Sequence, residues 1–225
     1  IRDQARYSKY PEPFNLPNHP VVGISWHEAL AFSRWLNEMA HERGWIDDNW
    51  EITLPSEAEW EKAARGGLQT PNNGPVIFPL DNLDLKPAKI DFIQNPSNSR
   101  VYPWGNSFDS DRANTEELGL SCTSTVGCFQ ASASPYGILD MCGNVWQWTS
   151  SADKSYPYNK DDGRENIADN WKAKRILRGG AYPVSRNIAQ SSYRLSQPPQ
   201  ELCDHFGFRL AIIPTKKVFQ TLTLE

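Results

Sequence analysis

Two early stretches of the chain carry apolar residues at helical spacing. Each opens with a capping box, Ser25 with Glu28 and Ser56 with Glu59, in which serine and glutamate side chains bind the free amides of a helix start. The first helix is predicted to bury Trp26, Leu30, Ser33, Leu36 and Ala40, with Ala29 and Trp35 beside them, and to stop at Gly44. The second is predicted to end at Gly66-Gly67. Trp35, Trp60 and Trp148 are predicted core residues.

Helical periodicity disappears after the second helix. Residues 68–112 are rich in Pro, Asn and Asp, which predicts an irregular, surface-packed insertion. Short strands are predicted at Arg175–Arg178, Ala189–Arg194 and Phe206–Ile213, between turn-rich stretches. Two N-terminal helices followed by loops and short strands indicate the α+β class and not a wound βαβ sheet. A single domain over 1–225 is the simplest interpretation.

Charge and composition narrow the class of partner. The chain has 23 basic and 27 acidic residues, a net charge of −4, so no basic stripe for nucleic acid is expected. No run approaches the ~18 apolar residues of a membrane span, so no membrane insertion is expected. Residues 1–10 are polar, and without a visible signal peptide a cytoplasmic location is favoured over export.

Most catalytic motifs are absent from the sequence. It contains no phosphate-binding loop, dinucleotide fingerprint, HExxH or Gly-x-Ser-x-Gly elbow, and its four histidines are scattered. The four cysteines, Cys122, Cys128, Cys142 and Cys203, include no CxxC pair, so a zinc ribbon is not expected. They can form two disulfides or stay reduced, and the sequence leaves both states open.

The segment 135–149 concentrates oxygen atoms in a tight turn. Asp140 and Gln147, with the carbonyls between them, offer the type of ligand set that suits Ca²⁺. The alternative is that Asp140 and Asn144 only bond the backbone of the turn. The residues alone favour neither alternative, and the neutral Gln147 predicts a weaker site than a glutamate would give.

A series of motifs makes the chain resemble the formylglycine-generating enzyme (sulfatase-modifying factor) family, a variant of the C-type lectin fold. In family order they begin at Pro20, Leu54, Tyr102, Ala113, Val126, Pro135, Leu177 and Phe206, and include Leu-Pro-Ser-Glu-Ala-Glu-Trp, Tyr-Pro-Trp-Gly, Gly-Asn-Val-Trp-Gln-Trp, Leu-Arg-Gly-Gly and Gly-Phe-Arg. The match covers about residues 20–212, and the glycine-rich strand with which the family begins is missing. The resemblance implies this α+β fold, in a chain that is either clipped at its N-terminus or departs there from the family pattern.

The resemblance also shows which cysteines an oxidase of this family would need. Oxidase members carry two cysteines between the Arg-Gly-Gly and Gly-Phe-Arg segments, and these bind copper as thiolates. Here residues 179–194 hold none, and Cys203 stands alone further along. Oxidase chemistry and copper are therefore not expected. The alternative kept open is a formylglycine-generating-type oxidoreductase, or an enzyme accessory, with altered chemistry.

The resemblance also implies calcium sites. The family's calcium ligands match Asp140, Gly143, Val145 and Gln147, where Gly143 and Val145 contribute carbonyls. A second family site would begin at Asn114 and the carbonyl of Thr115. Structural Ca²⁺ is expected from this match, although glutamine in place of glutamate at position 147 weakens the first site.

The spacing of residues 179–209 matches, without gaps, a non-oxidase branch that includes variable proteins diversified by retroelements. In that branch this segment forms a binding surface between fixed Arg-Gly-Gly and Gly-Phe-Arg frames, and some bacterial relatives are fused to signalling modules. The resemblance therefore implies a non-catalytic domain that binds a protein or other macromolecular ligand through residues 179–205, hereafter the 179–205 surface. The predicted ligand-binding residues are Tyr182, Ser185, Arg186, Ser192, Leu195, Gln197, Gln200, Leu202 and His205, with Trp146 from the groove of the oxidase members. The alternative is that Trp146, Tyr182 and Tyr193 belong to the core and that the polar residues simply face water.

Overall fold

The computed structural model describes residues 10–72, 90–97, 99–168 and 171–215. In this part of the chain the helices are α1, Trp26–Glu42, and α2, Glu57–Arg65. The strands are β1, Trp50–Thr53; β2, Gln69–Pro71; β3, Phe92–Gln94; β4, Trp146–Ala152; β5, Arg175–Arg178; β6, Leu195–Gln197; β7, Phe206–Phe208; and β8, Ala211–Pro214. The predicted α+β class is confirmed.

Both helices begin where the capping boxes predicted. The Ser25 amide donates to Glu28 Oε2 at 2.9 Å, and the Ser56 amide donates to Glu59 Oε2 at 2.8 Å. Each serine hydroxyl also accepts a hydrogen bond from the backbone of its glutamate partner. Local side-chain chemistry alone is therefore enough to set these two helix starts.

A four-stranded sheet with the order β6-β5-β4-β7 lies at the centre of the described residues. Its β4–β5 and β5–β6 pairs are antiparallel, but β4 and β7 run parallel, with Trp146 opposite Phe206. The short strands of this sheet are thus mainly antiparallel, with β4–β7 as a parallel pair. Two antiparallel pairs lie outside the sheet, β1 with β8 and β2 with β3.

The largest hydrophobic cluster packs α1 against the central sheet. Trp26 and Trp148 are fully buried in it, and Trp60 is buried in a smaller cluster with Met141. The core predictions for Trp60 and Trp148 are confirmed. The prediction that Trp35 belongs to the core is wrong, because 53% of its surface is exposed. Trp35 lies two residues after the buried Ser33, which places it about 200° around the helix from that residue.

Two predicted strands differ in the structure. Residues 189–194 form turns, and the strand begins only at Leu195. The turns arise because the Arg178 guanidinium draws successive carbonyls of this segment inward. The predicted strand at 206–213 divides into β7 and β8, which pair with different strands. The 68–112 insertion contains the β2–β3 pair; its residues 73–89 and 98 lie outside the described residues.

Candidate functional site

Arg178, at the end of β5, fixes the backbone of the 191–193 turn within the 179–205 surface. Its fully buried guanidinium donates to the carbonyls of Ser191, Ser192 and Tyr193 at 2.7, 2.9 and 2.8 Å. It also donates to Glu61 Oε2 of α2 at 2.6 Å. Burial lowers the pKa of Arg178, opposed by the carboxylates of α2. One cation thus joins the sheet, α2 and the 191–193 turn.

Gly180 allows the surface segment to fold back on itself. Its φ of +73° is in the left-handed region, and a Cβ at this position would lie 2.7 Å from both the Cα and the Cβ of Ala189. The fully buried Ala189 therefore packs directly on the glycine backbone. Only glycine fits here, which explains the second glycine of the Arg-Gly-Gly motif.

The structure brings Tyr182 and His205 together at one end of the surface. Their rings meet edge to face with centroids 6.1 Å apart, and the Phe14 ring also packs on Tyr182, with centroids 5.9 Å apart. Tyr182 is buried, and desolvation together with the charge of Asp204 raises its pKa. Tyr182 is therefore a neutral support beneath the more accessible His205.

Arg186 lies at a separate, open groove of about 750 Å³. Trp104 and Phe108 provide its aromatic wall, and the Arg186 guanidinium lies 6.0 Å from the Phe108 ring. The exposed Glu117 accepts a hydrogen bond from the Arg186 amide at 2.9 Å. Sequence reasoning missed Trp104, Phe108 and Glu117 as groove residues, although Trp104 lies in a family motif that it identified.

The remaining predicted ligand-binding residues are not all equally accessible. Ser192, Gln200 and Leu202 are exposed, Ser185 and Gln197 are partly buried, and Leu195 packs against the main hydrophobic cluster. Trp146 is only 2% exposed and lies beneath Tyr193, with ring centroids 6.0 Å apart. The structure places Trp146 below the surface, and the ligand-binding assignments stay predictions.

The oxygens around Asp140 and Gln147 are already used by protein donors. Gln147 Oε1 accepts from the Trp60 indole at 2.8 Å and from Arg209 Nε at 2.6 Å, which uses both lone pairs. Arg209 also donates to the carbonyls of Leu139 and Asp140. Burial lowers the pKa of Arg209 to about 10, and the charge of Asp140 opposes this. A guanidinium cation at these oxygens does not fit a calcium ion bound to Gln147.

The Asn114 end fits a cation better. Asn114 Oδ1 is buried and accepts no hydrogen bond within the described residues, whereas its amide nitrogen donates to the Cys122 carbonyl at 2.9 Å. Gly143 packs so closely that a Cβ there would collide with the Asn114 carbonyl oxygen. The Thr115 carbonyl accepts the Leu118 amide at 3.1 Å. An unpartnered buried oxygen is what a hard cation such as Ca²⁺ would satisfy.

All four cysteines are free thiols in the structure. Cys142 is buried and contacts the carbonyl of Ala189 at 3.3 Å, and desolvation raises its pKa. Cys128 is exposed, and Cys122 and Cys203 are partly buried. None of these four cysteines forms a disulfide in the structure, although the sequence left both the paired and the reduced state open. No helix in the described residues has both the length and the apolar character to cross a membrane.

Comparisons with known proteins agree with this architecture. Residues 3–213 match the family model of the sulfatase-modifying factor enzyme 1-like domain. The formylglycine-generating enzyme of Streptomyces coelicolor is 30% identical over 198 residues, which cover 87% of this chain and 53% of that protein. The inactive C-alpha-formylglycine-generating enzyme 2 of Bos taurus is 28% identical over 207 residues, covering 85% and 50%. The chain thus spans about half the length of these curated relatives.

A solved structure shows the same fold. Variable protein 1 of Treponema denticola superposes with a TM-score of 0.61 at 19% sequence identity, covering 92% of this chain and 78% of that one. The range matched by the family model, residues 3–213, includes Arg178 and the turn at Asp140. This chain therefore belongs to the sulfatase-modifying factor enzyme 1-like domain family.

Proposed function

We propose that this chain is a non-catalytic domain that binds a protein or other macromolecular ligand through the 179–205 surface. The observation that carries the proposal is the set of three carbonyls bound by Arg178. This contact fixes the backbone of the 191–193 turn while leaving the Ser192 and Tyr193 side chains exposed. A rigid backbone beneath accessible side chains lowers the entropy lost on binding.

The chemistry of the exposed side chains supports recognition of a macromolecule. Tyr193, Gln200 and Leu202 combine an aromatic ring, an adaptable amide and an apolar group. Arg186 adds a cation beside the aromatic wall of its groove. Aromatic and arginine side chains are enriched among residues that dominate binding energies. The net charge of −4 favours a protein partner over nucleic acid.

The family comparisons support the non-catalytic part of the proposal. One relative is an inactive formylglycine-generating enzyme, and a variable protein shares the fold. The segment 179–194 contains no cysteine, so it cannot provide the paired thiolates expected of the copper oxidases. We extend the proposal to a sensing role in a bacterial protein, in which the domain is diversified by a retroelement or joined to a signalling module.

A matched pair of variants tests the binding surface. The intact chain is immobilised, captured proteins are purified, and their affinities are measured by biolayer interferometry. The triple variant Arg186→Ala, Gln200→Ala, Leu202→Ala is expected to bind at least about tenfold more weakly, since hot-spot truncations each cost over ~1 kcal/mol. The control Arg43→Ala, Gln69→Ala, Leu68→Ala removes the same residue types from exposed positions elsewhere. Equal losses in both variants would reject the surface assignment.

We propose further that structural Ca²⁺ is held at Asn114 and Thr115 and not at Gln147. The unpartnered Asn114 Oδ1 supports the first site, and the Arg209 guanidinium disfavours the second. Calcium is expected to raise the melting temperature of the protein. In Asn114→Asp the same rise should occur at a lower calcium concentration, because a carboxylate binds Ca²⁺ more strongly than a neutral amide does. The control is Asn159→Asp at an exposed position. A melting temperature independent of calcium in all three proteins would reject this site.

A further inference from the structure

A thiol, a carboxylate and an imidazole converge in the loop that precedes β7. Cys203 Sγ lies 3.4 Å from His205 Nδ1 and 4.0 Å from Asp204 Oδ1, and the Asp204 and His205 atoms are 2.7 Å apart. Within the described residues, this is the group of three His, Cys, Asp or Glu residues whose ligand atoms all lie within 4.8 Å of one another. These are three of the side chains that bind transition metals in proteins.

The backbone on both sides of the group is anchored. The Cys203 carbonyl accepts the Gly23 amide at 2.9 Å and the Phe206 amide at 3.2 Å, and the His205 carbonyl accepts the Trp146 amide at 2.8 Å. These contacts tie the tripeptide to the segment before α1 and to the first residue of β4. Preformed backbone geometry reduces the ordering cost of binding a ligand at this position.

We propose that Cys203, Asp204 and His205 form a Zn²⁺ site with three protein ligands and an open fourth position. Zinc takes thiolate, imidazole and carboxylate in tetrahedral geometry, with bond lengths of about 2.3 Å to sulfur and 2.0–2.2 Å to nitrogen or oxygen. These lengths give ligand–ligand separations of about 3.3–3.6 Å. The observed distances of 2.7, 3.4 and 4.0 Å bracket that range. The mixed ligand set favours zinc over calcium or magnesium, which prefer oxygen alone.

The site forms by local side-chain movement. Cys203 Sγ is 3.4 and 3.5 Å from the two nitrogens of the His205 ring, so it faces the ring and not one nitrogen lone pair. Zinc binding turns the imidazole about its Cβ–Cγ bond and replaces its hydrogen bond to Asp204. Both side chains have room, since 24% of His205 and 43% of Asp204 are exposed. The open position then faces solvent on the 179–205 surface, although zinc binding itself requires no partner.

Cobalt and zinc titrations of the intact, chelator-stripped chain test the site. Co²⁺ reports a thiolate ligand through its near-ultraviolet charge-transfer band, and competition with a chromophoric chelator gives the zinc affinity. We expect one zinc per chain and a cobalt band that disappears in Cys203→Ser. His205→Ala should weaken zinc binding by at least about 100-fold, since even second-shell changes cost 10–100-fold.

Cys128→Ser is the matched control, because Cys128 is an exposed thiol that belongs to no group of three such ligands among the described residues. It should retain the cobalt band and the full zinc affinity. A band that survives Cys203→Ser, or that disappears in Cys128→Ser, would overturn the proposal. Circular dichroism of the metal-free proteins confirms that each variant folds. The measurement uses metal alone, so the partner-binding proposal can fail while the zinc site stands, and the reverse.

Discussion

Single residues determine the shape of the 179–205 segment. The Arg178 guanidinium donates hydrogen bonds to the carbonyls of three consecutive residues, 191–193. These residues cannot form a strand, because successive carbonyls of a strand point to opposite sides. Gly180 permits the close approach of Ala189. The buried Arg178 and Gly180 therefore determine the backbone path of the segment, whose exposed side chains face solvent. The contacts that fix this backbone therefore do not involve its exposed side chains.

The contact between Gly180 and Ala189 gives a stability prediction. Gly180→Ala should lower the free energy of unfolding by about 2–5 kcal/mol, from backbone strain of about 1–2 kcal/mol and overpacking of about 1–3 kcal/mol. Gly163→Ala is the matched control, because Gly163 has a similar φ of +80° but, apart from its chain neighbours, no atom of the described residues lies within 4 Å of the added Cβ. Gly163→Ala should lose only the free energy of the backbone strain, about 1–2 kcal/mol. Denaturant unfolding measures both, and equal losses would contradict a role for the Ala189 contact.

The buried Asp140 predicts a pH dependence. Burial raises the pKa of Asp140, while the Gly127 amide and Arg209 oppose the shift. The folded state therefore holds the proton more tightly than the unfolded state, and this stability is lost as pH rises from 3.8 through the folded pKa. Asp140→Asn stays neutral, so its unfolding free energy relative to the original chain should increase over that window and then level off. A relative free energy that falls with pH would show that the attraction between the Asp140 carboxylate and the Arg209 charge outweighs the effect of burial.

At the scale of elements, the sequence predicted what is locally encoded. Capping boxes gave both helix starts because serine, glutamate and the amides they bind are within three residues of each other. The central strand β4 was missed because all seven of its residues are buried, including Gln147 and Thr149, so no alternation of polar and apolar positions marks it. The groove at Arg186 was also missed, since Trp104 and Phe108 reach it only through tertiary packing.

The same substitution should destabilise the protein strongly at Trp60 in α2 and only slightly at Trp35 in α1. Trp60→Leu in α2 should cost about 3–5 kcal/mol, because it leaves a cavity and removes the indole donor to Gln147. Trp35→Leu in α1 should change stability by less than about 1 kcal/mol, because Trp35 is largely exposed. Thermal and denaturant unfolding measure both variants. A loss at Trp35 as large as at Trp60 would mean that the exposed face of α1 is covered in solution.

At the scale of the whole molecule, the residues that support the fold differ from those proposed to bind a ligand. The residues that carry the family match, such as Trp60, Arg178 and Gly180, are buried and support the fold. The side chains that would carry binding, such as Arg186 and Leu202, are accessible and contribute little to the core. Family membership therefore follows from the buried frame, whereas function must be argued from the accessible segment.

Because residues 179–194 contain no cysteine, we predict that the intact chain is inactive as an oxidase. Supplied with Cu(I) and a cysteine-containing peptide, it should consume no oxygen and form no formylglycine, because a copper site of this family type needs two thiolates. The buried Cys142 cannot supply the second, since desolvation raises its pKa and keeps the thiol protonated. The formylglycine-generating enzyme of Streptomyces coelicolor, assayed alongside, is the positive control. Oxygen uptake coupled to formylglycine, and abolished by Cys203→Ser, would instead establish an oxidase with altered copper ligands.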